Sequence, residues 1–168
     1  MAEQIRIQTP LTEEQSRKLK AGDMVLISGK IYSARDAAHK VMTEALARGE
    51  ELPIDWHDKI VYYLGPSPAK PGDPMLDQGI KGMIGKGSRK PEVIESMKKN
   101  GVTYFAAVGG AAALIAKSIK KYDVIAYADL GPEALAELTV EDFPAIVVID
   151  SEGNDFYEIG QAPYREDV

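Results

Sequence analysis

Apolar residues occur in short runs that are separated by glycine, proline and polar segments. Residues 3–9 alternate apolar and polar side chains, which predicts a short edge strand. A run at 80–84 predicts a strand that breaks at Gly85. Five further runs are rich in β-branched and aromatic residues and predict strands at 24–32, 60–64, 103–108, 123–128 and 145–149. Gly29 indicates a bend or bulge in the first of these, and the nearly continuous apolar run at 60–64 is typical of a strand covered on both faces.

Helical spacing of apolar residues predicts helices between these strands. Residues 12–15 fit a capping box, and the helix that follows is expected to end near Gly22. A second helix is expected to start at 33–36 and to stop at Gly49. Further helices are predicted at 91–99, at 111–120 and from Gly131 onwards, where Pro132 occupies an early helical position.

The order of these elements predicts an α/β fold. Strands and helices alternate in the second half of the chain, which favours a parallel sheet with crossover helices. The first half is richer in strands joined by loops, which indicates an additional antiparallel or mixed layer. Neither an internal repeat nor a domain linker is visible, so residues 1–168 are predicted to form one domain.

Composition and charge narrow the classes of partner. The chain has 168 residues, 45% hydrophobic and 27% charged, as is usual for globular proteins. Its net charge of −6 provides no basic excess, so nucleic acid is not expected as a partner. No run approaches the roughly 20 apolar residues that span a bilayer, and no secretory signal is visible, so we expect no membrane contact and a cytoplasmic location. The absence of cysteine excludes disulfides and an iron–sulfur cluster ligated by this chain alone.

Residues 79–92 carry the most distinctive candidate chemistry. Gly85 and Gly87 flank Lys86, and glycine lets the backbone adopt positive φ and approach a bound group closely. The helix predicted after Ser88 would direct its free N–H groups and its positive dipole end towards this turn, and Arg89 adds a second cation. The turn is therefore a candidate site for a carboxylate or a phosphate. An ordinary strand-to-helix turn with a solvated lysine explains the same residues equally well.

A further cation occupies the same kind of junction. Arg35 lies at the start of the second predicted helix, where a cation is disfavoured unless it holds an anion. An ion pair with a neighbouring acid is the commoner explanation for a single arginine in such a place. If Arg35 and Lys86 both lie at the carboxyl edge of the sheet, where ligands of α/β proteins bind, they suit a dicarboxylate.

Other chemical motifs are absent or weak. His39 and His57 lack the spacing of a metal pair. The sequence contains neither the GxSxG of serine hydrolases nor a Walker or GxGxxG motif, although the glycine pairs near Gly85 and Gly109 are compatible with nucleotide binding. The proline- and glycine-rich segment 65–74 is predicted to be a loop at a strand end, where functional loops are common.

Several short blocks of the chain resemble the β subunit of two-subunit class I fumarases and L-tartrate dehydratases, which are iron–sulfur hydro-lyases. The blocks span nearly the whole chain, and several of them in the same order are far more specific than any single one. They are residues 22–29, 34–39, 65–72, 79–87, 104–114, 129–134 and 141–144.

The resemblance implies a three-layer β/β/α swivelling domain with a central, largely parallel sheet and a second, antiparallel or mixed sheet. It also implies a partner α subunit whose cysteines hold a [4Fe–4S] cluster, so the isolated chain is expected to be inactive. A homodimer or a heterotetramer is compatible with this. The implied reaction is reversible hydration of fumarate to malate, with dehydration of L-tartrate as the alternative. A non-catalytic anion-binding or regulatory module of the same fold and a generic nucleotide-binding protein are further alternatives.

The resemblance also implies roles for particular residues. Arg35 and Lys86 hold the substrate carboxylates, Lys86 counts as a catalytic residue, and Gly85 and Gly87 belong to the substrate-binding turn. The base identified in the family, a threonine, has no counterpart here.

One departure from the family concerns the loop that carries this threonine and a further substrate-binding arginine. On the order of 20 residues of this active-site loop are missing between Pro74 and Met75. Either the protein lacks the loop and is catalytically impaired, or the protein contains the loop and the sequence leaves its residues out, with the numbering continuing across the gap. We favour the second explanation because every other block is intact.

Overall fold

The computed structural model describes residues 3–63, 75–107 and 112–161. The strands in these ranges are β1 (Ile5–Gln8), β2 (Met24–Ser33), β3 (Ile60–Tyr62), β4 (Gly82–Gly85), β5 (Thr103–Ala107), β6 (Ile119–Ala126) and β7 (Leu135–Ile149). The helices are α1 (Glu13–Lys18), α2 (Asp36–Ala47), α3 (Pro91–Asn100), α4 (Ala112–Ser118) and α5 (Phe156–Gln161). Short 3₁₀ helices cover Leu76–Gln78 and Ala128–Glu133.

All seven strands join one sheet in the order β1-β2-β3-β4-β5-β7-β6. Strands β1 to β5 run parallel to one another, whereas β7 runs antiparallel to β2, β5 and β6. Because β7 pairs with both β2 and β5, the pairings from β2 through β3, β4 and β5 to β7 form a closed ring. The predicted α/β class is therefore confirmed.

The parallel and antiparallel parts are distributed differently from the prediction. The parallel strands come from the first two thirds of the chain and the antiparallel strands from the last third. The helix predicted from Gly131 onwards is wrong, because residues 135–140 form the first part of β7. In that segment the buried Leu138 and Val140 alternate with the half-buried Thr139, which is the period of a strand. Pairing with β2 on one side and β6 on the other overrides the helix signal.

Predictions that rest on neighbouring residues agree better with the structure. The capping box of α1 is present, with Gln15 N–H donating to the Thr12 hydroxyl and Thr12 N–H donating to the Gln15 side chain. Strand β1 is an edge strand, as predicted. The register of β2 against β7 shifts between Ile27 and Gly29, where Gly29 has φ +111°. The expected bulge is therefore present.

Successive residues of the parallel strands face opposite sides of the sheet, and both sides are covered. Ile60 and Ile84 belong to a core cluster that includes residues of β1, β2 and β7. Val61 and Met83 belong to a second cluster, which packs against α2 and α3. The described part of the strand predicted at 60–64 is thus covered on both faces, as expected.

A buried carboxylate joins two distant connections. Asp150 follows β7 and is 1% exposed. Its oxygens accept hydrogen bonds from the backbone N–H of Ala21 at 3.1 Å and from those of Glu152 and Asn154 at 3.0 Å each. The Asn154 side chain donates to it as well. Asp150 thus ties the connection between α1 and β2 to the turn after β7.

Replacing Asp150 by alanine is expected to lower the free energy of unfolding by about 2–4 kcal/mol, because several donors lose a charged acceptor. Asp123→Ala is the matched control, since the Asp123 side chain pairs with Lys121 at the surface, where ion pairs contribute little stability. Urea denaturation followed by circular dichroism measures both variants. Equal losses of stability would contradict the structural role assigned to Asp150.

Candidate anion-binding site

Three neighbouring parallel strands end at the same edge of the sheet. The register pairs Ser33 of β2 with Tyr62 of β3, and Tyr62 with Ile84 of β4. Two backbone hydrogen bonds hold these ends side by side. Ala34 N–H donates to the Tyr62 carbonyl at 3.1 Å, and Tyr63 N–H donates to the Ile84 carbonyl at 2.9 Å. The backbone positions just after β2 and just after β4 are therefore held at a fixed distance from each other.

The two predicted cations lie at this edge, on either side of β3. Arg35 comes two residues after β2, and Lys86 comes directly after β4. Neighbouring strands are about 4.8 Å apart, so the two backbone positions are on the order of 10 Å apart. Both side chains are long enough to reach a small ligand placed between them. The geometry therefore suits an anion with two charged ends.

Arg35 immediately precedes the first turn of α2. Its backbone is extended, with φ −85° and ψ −178°, and its exposed side chain makes no capping hydrogen bond. It forms no ion pair within residues 3–63, 75–107 and 112–161, so an ion pair with a neighbouring acid has no support there. A cation at a helix N-terminus is electrostatically disfavoured, and an anion bound beside it would relieve this.

Lys86 projects from a turn whose carbonyl groups are engaged by two side chains. Gly87 has φ +79°, a conformation that favours glycine. The carbonyl oxygens of Lys86 and Ser88 accept hydrogen bonds from Nη1 of Arg89 at 3.3 Å each. The Gly87 carbonyl accepts one from the Tyr104 hydroxyl at 3.0 Å. The Lys86 side chain itself is exposed and pairs with no carboxylate of the described part of the chain.

Arg89 packs against the turn rather than extending from it. Its guanidinium carbon lies 4.2 Å from the centre of the Tyr104 ring, which is a cation–π contact. A Cβ atom at Gly85 would lie 2.8 Å from Nη2 of Arg89 and 3.3 Å from the Tyr104 ring, so a larger residue there would displace the Arg89 guanidinium. Burial raises the pKa of Tyr104 to about 12, although Arg89 opposes the shift. The hydroxyl therefore stays protonated and donates at neutral pH.

The helix after the turn begins at the predicted residue. Lys90 is the N-cap of α3 and Pro91 is its first residue, five residues after Lys86. The dipole of α3 therefore acts on the Lys86 side chain across the intervening turn residues.

The two histidines lie at opposite ends of the parallel strands. His57 precedes β3, and its Nε2 lies 3.5 Å from a carboxylate oxygen of Asp58. His39 lies one turn after Arg35 on α2, and its ring contacts that of Tyr63 edge-on, with centroids 5.6 Å apart. Tyr63 directly follows β3 and thus lies between the two cations along the edge. His39 belongs to the candidate edge and His57 does not.

Sequence reasoning missed two tyrosines of this edge, Tyr63 and Tyr104. The sequence predicts both tyrosines only as residues of buried strands. The position of Tyr63 near the end of the predicted strand 60–64, just before the proline- and glycine-rich segment, is a signal that could have found it. Tyr104 lies early in β5 and reaches the turn only because β5 pairs with β4, so no local pattern marks it.

This chain's residues do not suit a [4Fe–4S] cluster, because such clusters are held by cysteine thiolates and the sequence has none. The described ranges also contain no group of three or more histidine or acidic residues that could hold a metal ion.

No helix in these ranges is both long enough and apolar enough to cross a bilayer. The loop predicted at 65–74 and the glycine pair at 109–110 lie outside the described residues.

The fold and this edge define an α/β domain with two exposed cations at one edge of its sheet. The sequence matches the family described as "Fumarase C-terminus" over residues 1–76 and 72–160. The chain belongs to this family, as the resemblance predicts. The match is divided at 72–76, which is the place where the sequence analysis finds a segment of the family missing.

Individual relatives agree with this assignment. A presumed L(+)-tartrate dehydratase subunit beta of Methanocaldococcus jannaschii is 41% identical, with 88% of each chain covered. A presumed class I fumarate hydratase of Geobacillus stearothermophilus is 35% identical over 92% of this chain and 34% of its own length. The aerobic class I fumarate hydratase of Salmonella typhimurium is 33% identical over 94% of this chain and 31% of its own length. The chain thus spans most of a relative named as a β subunit, but about a third of these two hydratases.

Raising the pH from about 10 to about 12 is expected to destabilise the fold through Tyr104. Its pKa in the folded chain, about 12, lies above the ordinary value of 10.0, so the unfolded chain releases this proton first and stability falls across the interval. Tyr104→Phe cannot ionise and should lose less stability over the same interval. Urea midpoints measured across this pH range test it, and identical pH dependence in the two proteins would contradict it.

Proposed function

We propose that this chain is the β subunit of a two-subunit hydro-lyase that reversibly hydrates fumarate to malate. The observation that carries the proposal is the placement of Arg35 and Lys86, two exposed cations without a described partner, on the two sides of β3 at one sheet edge. Relatives named as fumarate hydratases and as a tartrate dehydratase subunit support a dicarboxylate. The proposed architecture is a three-layer β/β/α swivelling domain, which the two core clusters on opposite faces of the sheet support.

In this proposal Arg35 and Lys86 each hold one carboxylate of the substrate. Charge-assisted hydrogen bonds from two directions orient the dianion and offset its charge. Gly85 and Gly87 let the backbone of the turn come close to the carboxylate beside Lys86. Lys86 is thus the proposed catalytic residue of this chain, through its contact with the substrate.

The remaining chemistry is assigned to a partner α subunit. Its [4Fe–4S] cluster would supply Lewis-acid activation of the substrate hydroxyl. The single-chain relatives, of which this chain matches about a third, have length enough for such a partner within the same polypeptide. The isolated chain is therefore proposed to be inactive, and the working enzyme to be a cytoplasmic hetero-oligomer.

Dehydration of L-tartrate is the second candidate. The relative with 41% identity over 88% of both chains carries that name. Tartrate also has two carboxylates, so Arg35 and Lys86 suit both substrates. The ratio of kcat/KM for fumarate and for L-tartrate, measured on one preparation of the complex, decides between them.

Lys86→Met and Arg35→Met, introduced separately into the complex with the α subunit, are expected to lower kcat/KM for fumarate roughly 10- to 100-fold. Each variant removes one charge-assisted contact to a carboxylate. Lys90→Met is the matched control, because Lys90 is an exposed cation on the same segment whose side chain makes no capping bond. The loss of fumarate absorbance follows the reaction.

The control should retain the activity of the unmodified complex. Unchanged kcat/KM in Lys86→Met would exclude Lys86 as a carboxylate-holding residue. An equal loss in Lys90→Met would show that only the general positive charge of the segment matters.

A further inference from the structure

The Lys86 turn is supported by two side chains to which the proposed function gives no role. The Arg89 guanidinium and the Tyr104 hydroxyl donate hydrogen bonds to three consecutive carbonyl oxygens, those of residues 86–88. The backbone N–H groups of Gly87 and Ser88 donate to no described residue. The turn therefore directs its carbonyl groups towards Arg89 and Tyr104 and leaves these N–H groups free for a ligand.

This arrangement matters electrostatically for an anion at the turn. A carbonyl oxygen carries partial negative charge and would repel a carboxylate placed beside it, whereas an N–H group attracts one. Because Arg89 and Tyr104 hold three carbonyl groups on their own side of the turn, that repulsion is removed before the anion binds. It also fixes the backbone from which the Lys86 side chain extends, so the ammonium need not be reoriented on binding.

The surroundings of Arg89 point in the same direction. No carboxylate of the described ranges pairs with it, and its Nε–H is buried without a hydrogen-bond partner there. The Tyr104 ring, 4.2 Å away, and the two carbonyl oxygens are its main contacts. A partly buried cation without a counter-ion destabilises the folded chain, and an anion bound at the adjacent turn would relieve that.

We propose that Arg89 and Tyr104 are positioning residues that prepare the Lys86 turn to bind a dicarboxylate. The proposal rests on the carboxylate-holding role of Lys86. Arg89 acts through its planar guanidinium, which lies against the Tyr104 ring while Nη1 donates to two carbonyl oxygens. The compact ammonium of a lysine cannot reproduce this geometry. Tyr104 acts through its hydroxyl, which holds the carbonyl of Gly87.

The test uses the complex with the α subunit and succinate, a dicarboxylate that cannot be hydrated. Arg89→Lys keeps the charge but loses the planar fork, and Tyr104→Phe loses only the hydroxyl. Each is expected to raise the Kd for succinate, measured by calorimetry, about 10-fold, while Tm changes by less than about 3 °C. Arg48→Lys and Tyr122→Phe are the matched controls for the lost planar fork and the lost hydroxyl, because Arg48 and Tyr122 are exposed and Arg48 pairs with Glu50 away from the turn. Both controls should bind succinate like the unmodified complex.

A double-mutant cycle separates positioning from a general loss of structure. Because Arg89 positions the turn that carries Lys86, the double variant Arg89→Lys with Lys86→Met should weaken succinate binding by less than the sum of the two single effects. Additive effects would mean that Arg89 acts independently of Lys86 and would overturn the proposal. Unchanged Kd in both Arg89→Lys and Tyr104→Phe would also overturn it.

The single variant Lys86→Met distinguishes this inference from the function on which it rests. If Lys86→Met weakens succinate binding but Arg89→Lys and Tyr104→Phe do not, only the positioning role is wrong. If Lys86→Met leaves the Kd unchanged, the carboxylate-holding role of Lys86 is itself wrong, and the positioning role fails with it.

Discussion

The pairing of β7 with three other strands is the constraint on which the rest of the fold depends. This fifteen-residue strand runs antiparallel to β2, β5 and β6 and thereby connects β2 and β5, which lie three pairings apart in the parallel segment. With β2 and β5 joined in this way, the ends of β2, β3 and β4 are held at one edge. The buried Asp150 secures the chain where β7 ends. The distance between Arg35 and Lys86 is therefore set by the whole sheet and not by either turn alone.

In the proposed function, the charges at this edge serve a bound ligand more than the stability of the free chain. Other cations of the chain are paired with acids, either close in sequence, as Arg17 is with Glu13, or distant, as Lys30 is with Glu137. Arg35 and Lys86 have no such partner in the described ranges, although acids outnumber bases in the sequence. A dianion that reaches both would gain two charge-assisted contacts without displacing an existing ion pair. The same reasoning makes the site sensitive to the backbone of the Lys86 turn, which Arg89 and Tyr104 hold.

Features determined by neighbouring residues could be predicted from the sequence, and features determined by strand pairing could not. The capping box at Thr12, the bulge at Gly29 and the glycine turn around Lys86 each follow from a few adjacent side chains. Residues 131–133 have the composition of a helix start, and only pairing with β2 and β6 makes the following residues a strand. The contact between Arg89 and Tyr104 depends on the register of β4 against β5, which no local pattern specifies. The resemblance to a known family supplied the partner, the cluster and the substrate class, which neither composition nor spacing could supply.

The proposed division of labour between this chain and a cluster-bearing partner can be tested by comparing the isolated chain with the complex. The chain would be produced anaerobically, alone and together with a partner subunit that carries the [4Fe–4S] cluster, and both preparations assayed for fumarate hydration. We expect activity in the complex and none in the isolated chain. Activity of the isolated chain, or an inactive complex that contains an intact cluster, would contradict it.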